Sequence, residues 1–275
     1  MQCALCESEE CLEDSHIIPA FVCRYLKKIS ITGHLRGGDE PNKRMMDGPK
    51  PRLLGPSCED AFSVWEGHFA SKVFYPLHDG DLSNQTLLYG DWLAKFAASI
   101  SWRSLWHCRE RHPGEPMPHG HTPLVQPTLD VWRDYLLGRR ADVGHHQQHM
   151  LFLDAPISLP GFLDPRELKF YFERGIDYAT MNSPTDAYII TKLCKILIIG
   201  TIFTKKPSDW QRTQIHVKGG RYSPGDFQAA GCVFTFFKHA IEDMIASRKR
   251  LSPNQSQKIE QALRKRMPRP PSNAL

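Results

Sequence analysis

The sequence predicts an α+β protein, with a small N-terminal unit followed by a larger region of helices and antiparallel strands. Three observations predict it. Apolar residues recur at helical spacing in 58–74, 87–111 and 224–250. Between 148 and 222 the apolar runs are short and dominated by β-branched and aromatic residues. Four of the eight cysteines crowd into the first 23 positions, ahead of a stretch rich in Gly, Pro and charge.

At 275 residues the chain is long enough to bury a sizeable core. With 41% hydrophobic and 24% charged residues it has ordinary globular composition, which excludes a disordered, collagen-like or coiled-coil protein. The best apolar run, Ile196–Phe203, follows Lys192 and Lys195 and falls well short of the roughly 20 residues a spanning helix needs. No membrane association is expected. The start, Met1-Gln2-Cys3-Ala4, has neither a basic segment nor an apolar one, so the expected location is cytoplasmic. Clustered cysteines in such a chain point to metal or chemistry rather than disulfides.

Two regions are expected, 1–80 and 81–275. In the first, Leu12–Ile18 reads as a strand, Pro19–Lys28 as a helix with Phe21, Val22, Tyr25 and Leu26 on one face, and Ile29–Arg36 as a second strand. Gly38–Pro51 reads as loop, and Cys58–Phe74 as a helix with Phe62, Trp65, Phe69 and Val73 aligned. In the second, Leu87–Arg111 is apolar nearly all round and should be buried. His112–Pro127 carries five of the 21 prolines and reads as a linker, with a helix over Thr128–Arg140. Strands are expected at His149–Asp154, Leu168–Arg174, Asp177–Asn182, Asp186–Phe203 broken near Lys195, and Gln214–Lys218, with a turn at Gly219-Gly220. A helix follows over Pro224–Arg250, and Ser252-Pro253 starts another, to Met267. The tryptophans at 65, 92, 102, 106 and 132 fall on predicted helices and read as core rather than as base-stacking platforms.

The net charge of +5 is uneven. Ser247–Arg269 holds eight basic residues, among them Arg248, Lys249, Arg250, Lys258, Arg264, Lys265 and Arg266, against the single acid Glu260, so the remainder of the chain is slightly acidic. Such a run is either a solvated face or a localised hold on a polyanion.

The chemistry-bearing pattern is Cys3-x2-Cys6, then His16-Ile17-Ile18-Pro19, then Leu53-Leu54-Gly55-Pro56-Ser57-Cys58-Glu59. A Cys-x2-Cys knuckle supplies half of a tetrahedral zinc site, although unmetallated packing or a redox pair has the same spelling. Cys58, at a helix start, is placed to add a third thiolate. Cys11, Cys23, His34 and His68 are all candidates for the fourth ligand. His145, His146 and His149 have metal-like spacing but follow Gly144 in a segment that reads as loop, where solvated surface groups are the plainer reading.

These residues together resemble the HNH (ββα-metal, treble-clef) endonuclease family, and more loosely a group of uncharacterised bacterial HNH-like proteins. The resemblance covers residues 3–70 only. It implies a zinc-stapled ββα unit in which His16 is the general base for phosphodiester hydrolysis of DNA or RNA, and Cys3, Cys6 and Cys58 are structural zinc ligands. It implies further that Glu59 and, from the strand, Asp14 hold a catalytic Mg²⁺ or Mn²⁺, and that Asn42 is the middle asparagine. An imidazole suits the base because its ordinary pKa of about 6.5 needs little tuning. The basic C-terminal helix would then hold nucleic acid, with a protein partner or self-association also open. The pattern departs from the family at two places: Ser15 stands where the family has an acid, and Gly55 where it has a cysteine. The alternative is a catalytically inactive zinc module binding nucleic acid or protein, with His16 packed on the knuckle or ligating zinc and Glu59 merely complementing a helix dipole.

Overall fold

The computed structural model describes residues 2–8, 12–80, 82, 85–114, 117–153, 164–223, 225 and 227–266. The fold is mixed helix and antiparallel sheet. Near the N-terminus β1 (Glu13–Asp14) pairs antiparallel with β2 (Arg52–Leu54). Between them lies α1 (Ala20–Ile29), and after them α2 (Pro56–Phe69). Gly55 stays extended ahead of α2 and Pro56 opens it, where its missing N–H costs nothing. A π-helical turn, Ala70–Phe74, carries α2 into α3 (Tyr75–Asp79) just ahead of Pro76, which cannot donate to the helical ladder.

The strand expected over Leu12–Ile18 shrinks to two residues, because the chain after Asp14 runs beside 49–51 and bonds there instead, Ser15 N to Pro51 O and Ile17 N to Pro49 O. The strand expected over Ile29–Arg36 is absent; only Leu35 pairs, with Met45.

β3 (Leu87–Tyr89) occupies the start of the predicted long helix, and α4 (Asp91–Arg111) the rest. From Phe96 to Leu105 every residue of α4 is buried, as its all-round apolar surface required. α5 (Thr122–Leu136) begins earlier than expected and tolerates Pro127 inside it. Next come β4 (Gln148–Phe152), α6 (Pro165–Arg174), β5 (Ile176–Ser183), β6 (Asp186–Leu193) and β7 (Ile196–Thr204). β8 (Gln214–Ile215), β9 (Gly220–Tyr222), α7 (Cys232–Lys249) and α8 (Pro253–Arg266) follow. Five strands form one antiparallel sheet in the order β5-β6-β7-β4-β8, while β9 pairs with β3.

Both faces of the sheet are covered. Ile189, Ile196, Ile198 and Met150 join the core shared with α4 and α5. Tyr188, Ile190, Leu197 and Ile199 pack with Tyr171 and Phe172 of α6 and Phe236, Phe237 and Ile241 of α7. That is why β6 and β7 lack the polar alternation of a half-solvated strand. Gly200 permits close approach of the helices: a Cβ there would meet Ser101 Oγ and Trp132 at 2.7 Å. Gly219, at φ +95°, has no room either, with Tyr89 O 2.4 Å from a Cβ position; the expected turn is there, but Gly220 already belongs to β9.

The segment Leu168–Arg174, expected as a strand, is helical. Asp164 Oδ1 accepts from Arg166 N at 2.8 Å, Pro165 opens the first turn, and the buried Lys192 ammonium donates to the carbonyls of Tyr171, Phe172 and Gly175 at 2.8–3.0 Å. Capping at one end and a cation on the carbonyls of the other override the aromatic, strand-like composition. Asp154, the end of one predicted strand, and Met267, the end of the last predicted helix, lie outside the described residues. Trp102 and Trp132 are fully buried, and Trp65, Trp92 and Trp106 pack against the core. One core cluster takes in residues from both sides of position 80, from Leu5 and Ile17 to Ile198 and Ile215. No helix among the described residues is long and apolar enough to cross a membrane.

Candidate metal centre and the His16 loop

The sequence brings the N-terminal knuckle to β2 by backbone bonding. Ala4 N donates to Leu53 O at 2.9 Å, Glu7 N to Cys3 O at 2.9 Å, and Cys6 N points to Cys3 Sγ at 3.5 Å. Glu7 takes the left-handed φ of +62° that closes the turn, and its carboxylate meets Arg133 of α5 at 2.6 Å. Cys58 sits in the first turn of α2, just after β2. The outcome is a group of three sulfurs, Cys3, Cys6 and Cys58, all within 4.8 Å of one another. A tetrahedral zinc with bonds of about 2.3 Å sets its sulfurs about 3.8 Å apart, which lies inside that bound. Burial, and then the neighbouring Cys3 and Cys6, push the Cys58 thiol well up. Three sulfurs gathered within reach of one ion are a donor set suited to zinc. This group could hold a metal, and its chemistry fits zinc.

Three of the four candidates for a further ligand lie elsewhere. Cys23 is buried beside Asp47 and Gly48. His34 Nε2 is 3.2 Å from Arg36. The His68 ring lies against Trp92 at 5.7 Å. Cys11 lies outside the described residues.

His16 does not join the sulfurs. Its Nε2 lies 3.0 Å from Asp47 Oδ2, and the two side chains are 23% and 27% exposed. Lys50 Nζ reaches the same carboxylate oxygen at 2.6 Å. Burial alone would raise the Asp47 carboxyl, but Lys50 and His16 together carry it down to about 2. Behind His16, the guanidinium of Arg103, 1% exposed, donates to His16 O at 2.8 Å and to Glu66 Oε1 at 2.7 Å. A fully buried cation thus ties the His16 backbone to α2 and α4.

Glu59 is on the first turn of α2, half-buried, with Oε1 lacking a hydrogen-bond partner. Burial raises its carboxyl; Ser15 and Arg103 offset part of this, and Glu66 and Glu13 add to it. Asp14 is exposed on β1 opposite Arg52. Among the described residues no group of three or more His, Cys, Asp and Glu ligands unites His16, Asp14 and Glu59; the cysteines form the only such group. The oxygen-rich set that a catalytic Mg²⁺ or Mn²⁺ would need is therefore not assembled from these three.

Asn42 is committed elsewhere. Its Nδ2 donates to Arg250 O at 3.0 Å and its Oδ1 accepts from Ser252 N at 2.8 Å, so its amide clips the α7–α8 corner rather than lining the His16 loop. In the basic run Arg248 bonds Glu167 and lies over Phe170 at 4.3 Å, Arg250 donates to Gly38 O and Asp39 O, and Arg264 pairs with Glu260 at 2.7 Å. Lys249, Lys258 and Lys265 are exposed; Arg266 ends α8. Among the described residues the histidines at 145, 146 and 149 form no metal group. His149 is not on the surface: it is 3% exposed, stacked on Trp210 at 4.4 Å, and burial pushes its pKa down to about 3.

Sequence reasoning missed Asp47, Lys50, Arg103 and Glu66. Asp47 and Lys50 lie in an aperiodic loop; Arg103 and Glu66 read as ordinary helix positions. Comparison with protein families, characterised proteins and solved structures finds no match for this chain.

Proposed function

We propose that the N-terminal unit is a zinc-stapled HNH-type endonuclease centre that hydrolyses phosphodiester bonds in DNA or RNA, with His16 as general base. The observation that carries this reading is the His16–Asp47 bond. An ionised carboxylate only accepts, so Nε2 of a neutral His16 carries the proton and Nδ1 keeps its lone pair. Nδ1 would take a proton from a water attacking phosphorus; the bond to the leaving oxygen breaks, and that oxygen is protonated by solvent. Asp47 orients the ring and stabilises the imidazolium, as an acid behind a catalytic histidine does. Cys3, Cys6 and Cys58 would hold zinc, which staples β2, α2 and the knuckle. No step is assigned to a second cation.

A second reading is a zinc module that binds nucleic acid or protein without hydrolysis. The absence, among the described residues, of a ligand group uniting Glu59 and Asp14 with His16 favours it. A plasmid-nicking assay with Mg²⁺ or Mn²⁺ separates the two. The nuclease reading expects cleavage by the wild type and a loss of about 100-fold or more in His16→Ala. No cleavage by the wild type with either metal overturns it. Binding that survives His16→Ala but is lost on removing residues 247–275 supports the module.

A further inference from the structure

The segment around Leu35 and Met45 holds an arrangement that folding does not account for. Leu35 N donates to Met45 O at 2.8 Å and Met45 N to Leu35 O at 3.0 Å. This pairing sets Arg36 and Arg44, the next residue on each side, beside one another. Like charges placed opposite each other destabilise a ladder. Neither is neutralised. Arg36 donates to Pro41 O at 2.9 Å and Gln255 Oε1 at 3.0 Å and meets His34 Nε2 at 3.2 Å, all uncharged acceptors. Arg44 is exposed and forms no ion pair among the described residues. Burial, and then Arg44, lower the Arg36 guanidinium. The acids of the same loop are engaged elsewhere, Glu40 with Lys43 at 3.1 Å and Asp39 with Arg111 at 4.0 Å.

The loop is also held in place. The Asn42 amide clips the backbone of Arg250 and Ser252, and Gln255 of α8 anchors Arg36. Lys258 follows Gln255 by one helical turn and is exposed. In the other direction Asp47 lies only three positions beyond Arg44, at most about 11 Å of chain.

We propose that Arg36 and Arg44, with His34 and with Lys258 of α8 beside them, form a subsite for the phosphate backbone of a nucleic acid, which holds the strand that flanks the His16 centre. The proposal rests on the nucleic-acid reading of that centre for its ligand. The exposed Arg44 guanidinium can bind phosphate oxygens bidentately, while Arg36, its terminal nitrogens held by Pro41, His34 and Gln255, adds an uncompensated positive charge beside it, and displaced counterions make such binding salt-dependent.

The test is fluorescence anisotropy of the full chain with a short labelled DNA duplex and with a single-stranded RNA of the same length, over a salt series. The double variant Arg36→Gln/Arg44→Gln should bind about 10-fold more weakly near 0.1 M salt. Its plot of log affinity against log salt should be flatter by about two units, one for each guanidinium taken off a phosphate. The thermal midpoint of Arg44→Gln alone should not fall, since only a repulsion is removed, whereas the double variant also loses the Arg36 bonds to Pro41 and Gln255. Should the double variant fold poorly, Arg44→Gln alone, at an exposed position, should flatten the slope by about one unit. An unchanged slope overturns the subsite, as does a wild type that binds neither probe at low salt. A wild type that binds with an Arg-dependent slope but nicks no plasmid keeps the subsite and removes the nuclease; nicking with an unchanged slope does the reverse.

Discussion

His16 Nε2 and Asp47 Oδ2 meet at 3.0 Å across 31 residues of chain. The contact exists because Ser15 and Ile17 bond to Pro51 and Pro49, which lays the loop that carries Asp47 along the residues after β1. Arg103 then fixes the His16 carbonyl from behind.

Asp47 should make stability depend on acid. A carboxyl depressed to about 2 contributes fully above its unfolded value of 3.8 and loses the contribution as the pH falls through about 2. The amount is at most about 2 kcal/mol, since solvent screens part of it. Asp47→Asn should lower the thermal midpoint at neutral pH and lose less stability than wild type between about pH 5 and pH 2. Parallel acid limbs for the two proteins would contradict this.

Elemental analysis of the purified protein should find about one zinc per chain, and Cys58→Ala should lose it. Chelation at neutral pH should lower the wild-type midpoint by about 10 °C or more and leave Cys58→Ala unmoved. A midpoint indifferent to chelator would remove the metal from the knuckle.

Lys192→Met should be among the most damaging single changes. The ammonium serves carbonyls of Tyr171, Phe172, Gly175 and Cys194, and methionine leaves them without that donor. The expected loss is about 3 kcal/mol, read from the urea midpoint. A loss under about 1 kcal/mol would mean that the α6 C-terminus does not depend on this cation.

Gly200→Ala tests the packing of helices on the sheet. The added methyl would press on Ser101 of α4 and Trp132 of α5, both fully buried, at 2.7 Å. A cost of about 1–3 kcal/mol is expected in equilibrium unfolding; a neutral substitution would show that this crossing is looser than the distances imply.

The sequence by itself determined the elements whose signal is local. The apolar stripe of α1 (Phe21, Val22, Leu26), the all-round burial of α4 and the β6–β7 hairpin broken near Lys195 were legible from spacing alone, because each buries its residues at the period of its own backbone. So was the knuckle, since Cys3 and Cys6 are three residues apart, and Cys58 was legible from its place at a helix start. Only the tertiary structure decided that Asp47 and Lys50 belong to His16, that Asn42 serves the α7–α8 corner, and that Leu168–Arg174 is a helix. Those outcomes hang on contacts across 20 to more than 200 residues, Lys192 to Phe172 and Asn42 to Arg250 among them. A partner supplied from a distant loop imposes no period and no composition on the segment that receives it, and so leaves no mark there to be read.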